Sequence, residues 1–419
     1  MTTSRGPAGV AAAVADAHRR EWAFVLAATV RVTRDIDLAE ECAQDAFARA
    51  LTAWPESGIP ARPGGWLTTV ARRRALDEMR RESVLRRSLP LLIDDGVASS
   101  VEDELAASED IPDDRLRLIC TCCHPALSRD AQVALTLRLV CGLTTAEIAR
   151  AFLVAEPTMA ARITRAKKKI AAARIPYRVP PVDELPARID AVLDVVHLLF
   201  TTGHTAPAGA DLVRCDLVER SLDLTRMLRV LLPEDADIAG LLALILLTDA
   251  RRATRVATDG SLLLLDEQDR SLWDRSEIDA GVALVREALR RRPPGRFALQ
   301  AAIAAVHGEA LRWEDTDWGE IVALYDLLVQ VWPSPVVALN RAVAVGMAAG
   351  PAAGLAEVDE LRDEPALAGY PYAAAARADF LRRLGRAEEA RTSYEEALML
   401  TTNEVERAFL LRRLGEVVG

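Results

Sequence analysis

The stretch from Gly142 to Ile170, GLTTAEIARAFLVAEPTMAARITRAKKKI, constrains this chain most, because it spells two short helices with only a few residues between them. Thr144-Thr145-Ala146-Glu147 carries the capping-box pattern, in which a Thr hydroxyl and a Glu carboxylate satisfy amides that the first helical turn leaves bare. The spacing predicts a helix from there to about Phe152. An apolar turn, Leu153-Val154-Ala155, leads to Glu156-Pro157, where a proline in the first helical turn loses no hydrogen bond. Along the second helix Met159, Ile163, Ala166 and Ile170 recur at i, i+4, i+7 and i+11, a stripe that packs on a partner helix. The other faces are cationic: residues 156–178 hold seven Arg or Lys against one acid, Glu156. A helix-turn-helix of this make suits the major groove of DNA, its second helix reading base edges.

An ordinary solvated helix also shows charge runs. What sets this unit apart is a second basic segment upstream. Residues 35–54, DIDLAEECAQDAFARALTAW, predict an amphipathic helix with Leu38, Cys42, Ala46 and Leu51 near one face. Glu40, Glu41, Gln44 and Asp45 then turn outward as an acidic surface that needs a basic partner. Pro55 to Gly65 reads as a Pro/Gly-rich loop. A helix follows from Trp66 to Arg81, and residues 62–87 carry eight Arg against three acids.

The pattern D-x-x-x-A-E-E-x-x-Q-D-A-F, followed by P-G-G-W-L-T-T-V-A-R-R-R-A-L-D-E-M-R-R, resembles region two of an extracytoplasmic-function RNA polymerase sigma factor. Residues 113–178 resemble its region four, and the likeness spans nearly all of residues 10–178. The resemblance implies that Glu40, Glu41, Gln44 and Asp45 dock on the clamp helices of the polymerase largest subunit. It implies that the Pro55–Gly65 loop and the following helix, through Trp66, Arg72, Arg73, Arg74, Arg80 and Arg81, meet the −10 promoter element. There a base flipped from the non-template strand is held in the loop, and opened DNA is gripped along its backbone. Trp66 is able to stack on such a base, although WLTTVA reads as buried and so favours it as an anchor for its helix. The resemblance implies further that the second helix of the helix-turn-helix reads the −35 element, with Glu156, Thr158, Arg162 and Arg165 at base edges and Lys167, Lys168 and Lys169 on phosphates.

The fold class expected is all-α, organised in five parts. Residues 1–90 form the region-two bundle, 91–112 an acidic linker, 113–178 region four, 179–187 a Pro-rich linker and 188–419 a helical extension. Aromatic residues make up 5% of the chain and strand-like runs are scarce. Charge is divided unevenly: residues 1–180 hold 26 bases and 23 acids, residues 181–419 hold 26 and 39. The nucleic-acid surface therefore belongs to the front half. Asp94–Asp114 contains nine acids and no base, a solvated tether or, alternatively, a screen for basic surfaces in the free protein.

In the extension, Ala373–Leu384 with Gly385, Ala390, Tyr394 and Ala397 match positions of a tetratricopeptide repeat, and Pro335–Leu361 gives a weaker copy. Thr258-Asp259-Gly260, between short apolar runs, predicts a small β-hairpin or extended loop. The extension resembles that of one sigma subgroup, which implies a built-in regulator contacting regions two and four. His197-Leu198-Leu199-Phe200-Thr201-Thr202-Gly203-His204 departs from that subgroup, which more often has Asn-Glu-Gly-Tyr; His197 and His204 read as structural.

Six unevenly spaced cysteines do not form a disulfide framework. Cys120-Thr121-Cys122-Cys123-His124 lacks the paired spacing of a zinc site and reads as small buried residues at a helix end, so no metal and no cofactor is expected. Met1–Trp22 has no apolar core of a signal peptide and no stretch suffices to span a bilayer, so a cytoplasmic protein with no membrane partner is expected. The chain has no G-x-S-x-G, P-loop, H-E-x-x-H or dinucleotide fingerprint, which argues against an enzyme. The partners expected are core RNA polymerase and promoter DNA. A DNA-binding regulator with a helical sensor, which never joins polymerase, is the competing reading; it has no use for the acidic helix at 35–54.

Overall fold

A computed structural model describes residues 7–88, 114–152, 154–181 and 183–418. The acidic stretch from Asp94 lies outside these residues except for Asp114. The described chain is helical apart from one pair of two-residue strands and a single antiparallel bridge. It divides into two compact units, one ending at Val195 and one beginning at Val196.

In the first unit, α1 (Pro7–Thr33), α2 (Ile36–Ser57) and α3 (Pro63–Ser88) pack on one another as a three-helix bundle. The buried face of α2 consists of Ala39, Ala43, Ala46, Phe47, Ala50 and Trp54 together with Glu40 and Cys42. Small side chains let the three backbones approach closely, so the stripe centres on alanines and Leu51, expected in the core, is 48% exposed. The expected loop is also shorter than its Pro/Gly content suggests. α2 runs through Pro55 to Ser57, because a proline in the last turn disrupts few hydrogen bonds and the buried Trp54 beside it holds the turn in place. Pro63 then opens α3, leaving only residues 58–62 between the helices.

Four further helices follow: α4 (Asp114–Cys122), α5 (Arg129–Leu135), α6 (Thr145–Ala151) and α7 (Glu156–Ala172). A π-helical turn, Thr136–Val140, continues α5, and Cys141 N–H bonds back to the Thr136 carbonyl at 3.0 Å. The first half of α8 (Leu185–His204) belongs to this unit. There the buried Arg188 donates to the Cys120 carbonyl at 2.6 Å.

The second unit continues with α9 (Cys215–Leu231), α10 (Ala236–Asp249), α11 (Arg275–Ala288), α12 (Arg296–Glu309), α13 (Trp318–Val331), α14 (Pro335–Ala348), α15 (Pro351–Glu360), α16 (Pro371–Arg383), α17 (Ala387–Leu400) and α18 (Glu404–Val418). α10 is apolar all round, ADIAGLLALILLTD, and accordingly is enclosed by α9, α11 and α12. From α13 on, neighbouring helices pack as hairpins. Gly385, at φ +73°, makes the turn between α16 and α17, and Ala390, Tyr394 and Ala397 are buried where the two meet. The hairpin expected at Thr258–Gly260 forms around one bridge, Val256 to Leu262, with Gly260 at φ +86° in the turn. Strands β1 (Ala208–Gly209) and β2 (Thr402–Asn403) pair in parallel. The buried Asn403 amide pins the join by donating to the carbonyls of Ala206 and Asp211 at 3.0 and 2.9 Å.

Candidate nucleic-acid interface

The helix-turn-helix forms from the residues that predict it. The backbone amide and hydroxyl of Thr144 each donate to Glu147 Oε2 at 2.7 Å, and the Glu147 amide donates to Thr144 Oγ1 at 3.2 Å, closing the capping box. Met159, Ile163, Ala166 and Ile170 are the buried residues of α7, and α7 packs on α5 and α6. Its opposite side presents Glu156, Thr158, Arg165, Lys168 and Lys169 to solvent. Arg162 is half-buried and pairs with Asp130 at 3.3 Å. Arg165 folds back, its Nε donating to the Ala161 carbonyl at 3.2 Å.

Lys167 behaves differently from its neighbours. Its ammonium donates to Asp37 Oδ1 at 2.7 Å and Glu40 Oε2 at 2.6 Å, both on α2, and its side chain is 13% exposed. Burial pulls the Lys167 pKa down, yet its hydrogen bonds to Asp37 and Glu40 hold it above the ordinary lysine value. Glu40 is also paired with Arg138 of the π-helical turn. Glu40, expected on the outward acidic face, is thus a buried residue, 7% exposed at its side chain. The reason is tertiary: two cations from region four meet it, and a buried carboxylate with two ionic partners offsets its lost hydration.

The seam around this pair is built from long-range contacts within the first unit. Trp22 Nε1 donates to the Leu139 carbonyl at 3.1 Å, and Tyr177 donates to the carbonyls of Ala27 and Asp114 at 2.9 and 3.1 Å. Arg31 pairs with Asp114 at 3.4 Å. Gly142, at φ +69°, lies so close to α1 that a β-carbon there would stand 3.0 Å from both His18 and Trp22.

Of the remaining acidic-helix residues, Glu41 and Gln44 are exposed, and Asp45 accepts from Arg74 at 3.0 Å. Arg74 also pairs with Glu78 at 2.5 Å, and its hydrogen bond to Asp45 raises its pKa. Arg73, Arg80 and Arg81 are exposed, Arg81 within 3.2 Å of Glu78. Arg72 is half-buried, donating to the Ala28 carbonyl at 3.4 Å; burial and then the neighbouring Arg31 lower its pKa. Trp66 is half-buried and stands edge-to-face on the buried Trp54, ring centroids 5.7 Å apart. Asp37, Asp130 and Arg138, which pair with the predicted residues, were not among them. Asp37 carries a faint signal, three residues before Glu40; Arg138 carries none.

Cys120, Cys122 and Cys123 are buried at the end of α4, where burial raises their thiols, Cys120 to about 12 and Cys123 to about 11. Among the described residues no cluster of three His, Cys, Asp or Glu side chains is placed to hold an ion. Nor is any described helix long and apolar enough to cross a membrane.

A capped helix-turn-helix with a basic recognition face, joined to a three-helix bundle bearing acids on one helix and arginines on the next, defines a promoter-recognition protein. The comparisons agree. Residues 18–84 match sigma-70 region 2, residues 118–170 match sigma-70 region 4, and residues 188–289 match a family of unknown function, DUF6596. An uncharacterized protein of Rhizobium meliloti is 44% identical over 398 residues, covering 94% of this chain and 93% of that protein. The chain belongs to the sigma-70 family, as an extracytoplasmic-function type with a C-terminal DUF6596 domain. It is an RNA polymerase sigma factor, and its partners are core RNA polymerase and promoter DNA.

Proposed function

We propose that α7 reads the −35 element while residues 58–62 and α3 engage the −10 element, and that regions two and four must part before either is used in full. Glu156, Thr158, Arg162 and Arg165 serve base edges, and Lys168 and Lys169 serve phosphates from the outset. Trp66, Arg72, Arg73, Arg74, Arg80 and Arg81 face the −10 element, the exposed Arg73, Arg80 and Arg81 on the DNA backbone. The observation that carries this reading is the pairing of Lys167, a recognition-helix cation, with Asp37 and Glu40 of α2. α2 is the helix whose Glu40, Glu41, Gln44 and Asp45 dock on polymerase in this proposal. While Glu40 holds Lys167 and Arg138, it is unavailable to the clamp helices, and Lys167 is unavailable to phosphate. Polymerase binding to α2 therefore competes with the closed pairing and releases α7.

The extension beyond residue 188, of which residues 188–289 match DUF6596, acts in this scheme as a built-in regulator contacting the sigma regions. Its excess of acids suits a surface that competes for basic partners. Run-off transcription with core polymerase tests the scheme: the full chain and a chain cut within α8 after Val195 should differ in output from the target promoter. Equal output would leave the extension without a regulatory part. Failure of the protein to join core polymerase at all would overturn the docking of α2.

A further inference from the structure

The C-terminal unit holds a cavity of about 430 Å³ whose polar lining has no use in promoter recognition. His197 and Thr201 of α8, Gln300 and His307 of α12 and Tyr325 of α13 contribute to it, and Arg251 enters from just beyond α10. Leu244, Ile303, Leu328 and Trp332 supply apolar wall.

Arg251 is the unusual member. Among the described residues its guanidinium has no hydrogen-bond or ion-pair partner, and it lies 5.7 Å from the centroid of the Trp273 ring. The nearby Asp249 is committed to Arg252 at 2.5 Å. Two more arginines add to the positive field. Arg255 donates to Thr205 Oγ1 at 3.0 Å and to the His204 carbonyl, and Arg270 donates to the carbonyls of His307 and Ala310 at 3.1 and 2.9 Å. These are neutral acceptors; Glu406 and Asp249 act on Arg255, and Glu314 and Asp315 on Arg270, whereas among the described residues no acid acts on Arg251. Burial, then Arg255 and Arg270, brings the Arg251 pKa down to about 10, so the group stays cationic at neutral pH. Nδ1 of His307 is buried without a partner. A half-buried charge without a counter-charge is unfavourable, and a guanidinium supplies a planar fork of donors that matches a carboxylate.

We propose that this cavity is a binding site for a small organic acid, its carboxylate held by Arg251 and its apolar body lying against Leu244, Ile303, Leu328 and Trp332. The volume lies in the range of pockets that enclose small ligands, and apolar walls with convergent polar groups are their usual make-up. One guanidinium beside neutral histidines favours a single negative charge on an apolar body over a compact, multiply charged phosphate.

Isothermal titration of the full chain with phenylbutyrate, its neutral amide and inorganic phosphate tests the proposal directly, whether or not the extension controls transcription. Phenylbutyrate is expected to bind, and the amide to bind at least about tenfold more weakly, as the loss of a charged hydrogen bond requires. Arg251→Gln should weaken phenylbutyrate binding by at least the same factor, and Arg251→Lys should weaken it less. Without ligand, Arg251→Gln should melt no lower than the wild type, since it removes an unpaired charge; an arginine kept for structure would give a clear drop. Equal binding of acid and amide, no binding of the acid up to millimolar concentration, or phosphate binding as tightly as the acid would each overturn the proposal. Should Arg251→Gln fail to fold, the acid and amide on the wild type decide alone.

Discussion

Lys167, Lys168 and Lys169 are adjacent in sequence, yet Lys167 pairs with Asp37 and Glu40 while the other two face solvent. The difference makes a residue-level prediction. Lys167→Ala should raise affinity for core polymerase several-fold, because Asp37 and Glu40 lose a competitor. Its cost to stability should fall below the roughly 3–5 kcal/mol of a broken buried pair, since Glu40 keeps Arg138. Lys168→Ala should leave polymerase affinity unchanged and flatten the salt dependence of promoter binding by about 0.9 in log–log slope. Titrating labelled core enzyme with both variants checks this, and identical polymerase affinities would remove the closed pairing from the scheme. Arg162→Ala, freed from Asp130, should cost roughly 1–3 kcal/mol at one −35 base pair and relax specificity there. Binding measured over a set of single-base promoter variants separates this from uniform loss, which would make Arg162 a phosphate contact.

Gly142 joins the π-helical turn to the helix-turn-helix, and its conformation decides how region four meets α1. Gly142→Ala should destabilise the protein by about 1–3 kcal/mol through left-handed strain and contact with Trp22 and His18. Gly260→Ala is the control: its φ is also positive but nothing lies within 4 Å, so only the strain remains. Thermal melts of the two variants should therefore differ, and equal losses would mean that the approach of Gly142 to α1 is loose. At this scale much was legible in advance. The capping box at Thr144 and the four-residue stripe of α7 are local patterns, and local patterns set helix ends and faces. Pro55 misled because proline argues for a loop, whereas a helix end anchored by Trp54 tolerates it. The burial of Glu40 was invisible because its partner Lys167 lies 127 residues away, and no periodicity along α2 encodes that.

Across the whole molecule, titration should distinguish the two compact units. His197 is a half-buried neutral side chain of the second unit, its pKa brought from the ordinary 6.5 to about 4 by loss of hydration alone. His307 is lowered to about 3, by burial and then by Arg251 and Arg270, and His204 is held well below the ordinary value by burial and then Arg255. Between pH 6.5 and about 4 the unfolded chain binds a proton at His197 that the folded chain does not. Stability is therefore full above pH 6.5 and falls as pH drops through that window, by an amount on the order of 2 kcal/mol at pH 5 for His197. The second unit should accordingly melt at lower temperature at pH 5 than at pH 7.5, by more than the first. His197→Gln, which keeps a polar group of similar length but cannot charge, should reduce that dependence by about its share. Differential scanning calorimetry of the full chain at both pH values resolves the transitions. A second-unit transition as insensitive to acid as the first would mean that these histidines reach water in the folded state, which would also weaken the case for a cationic cavity around Arg251.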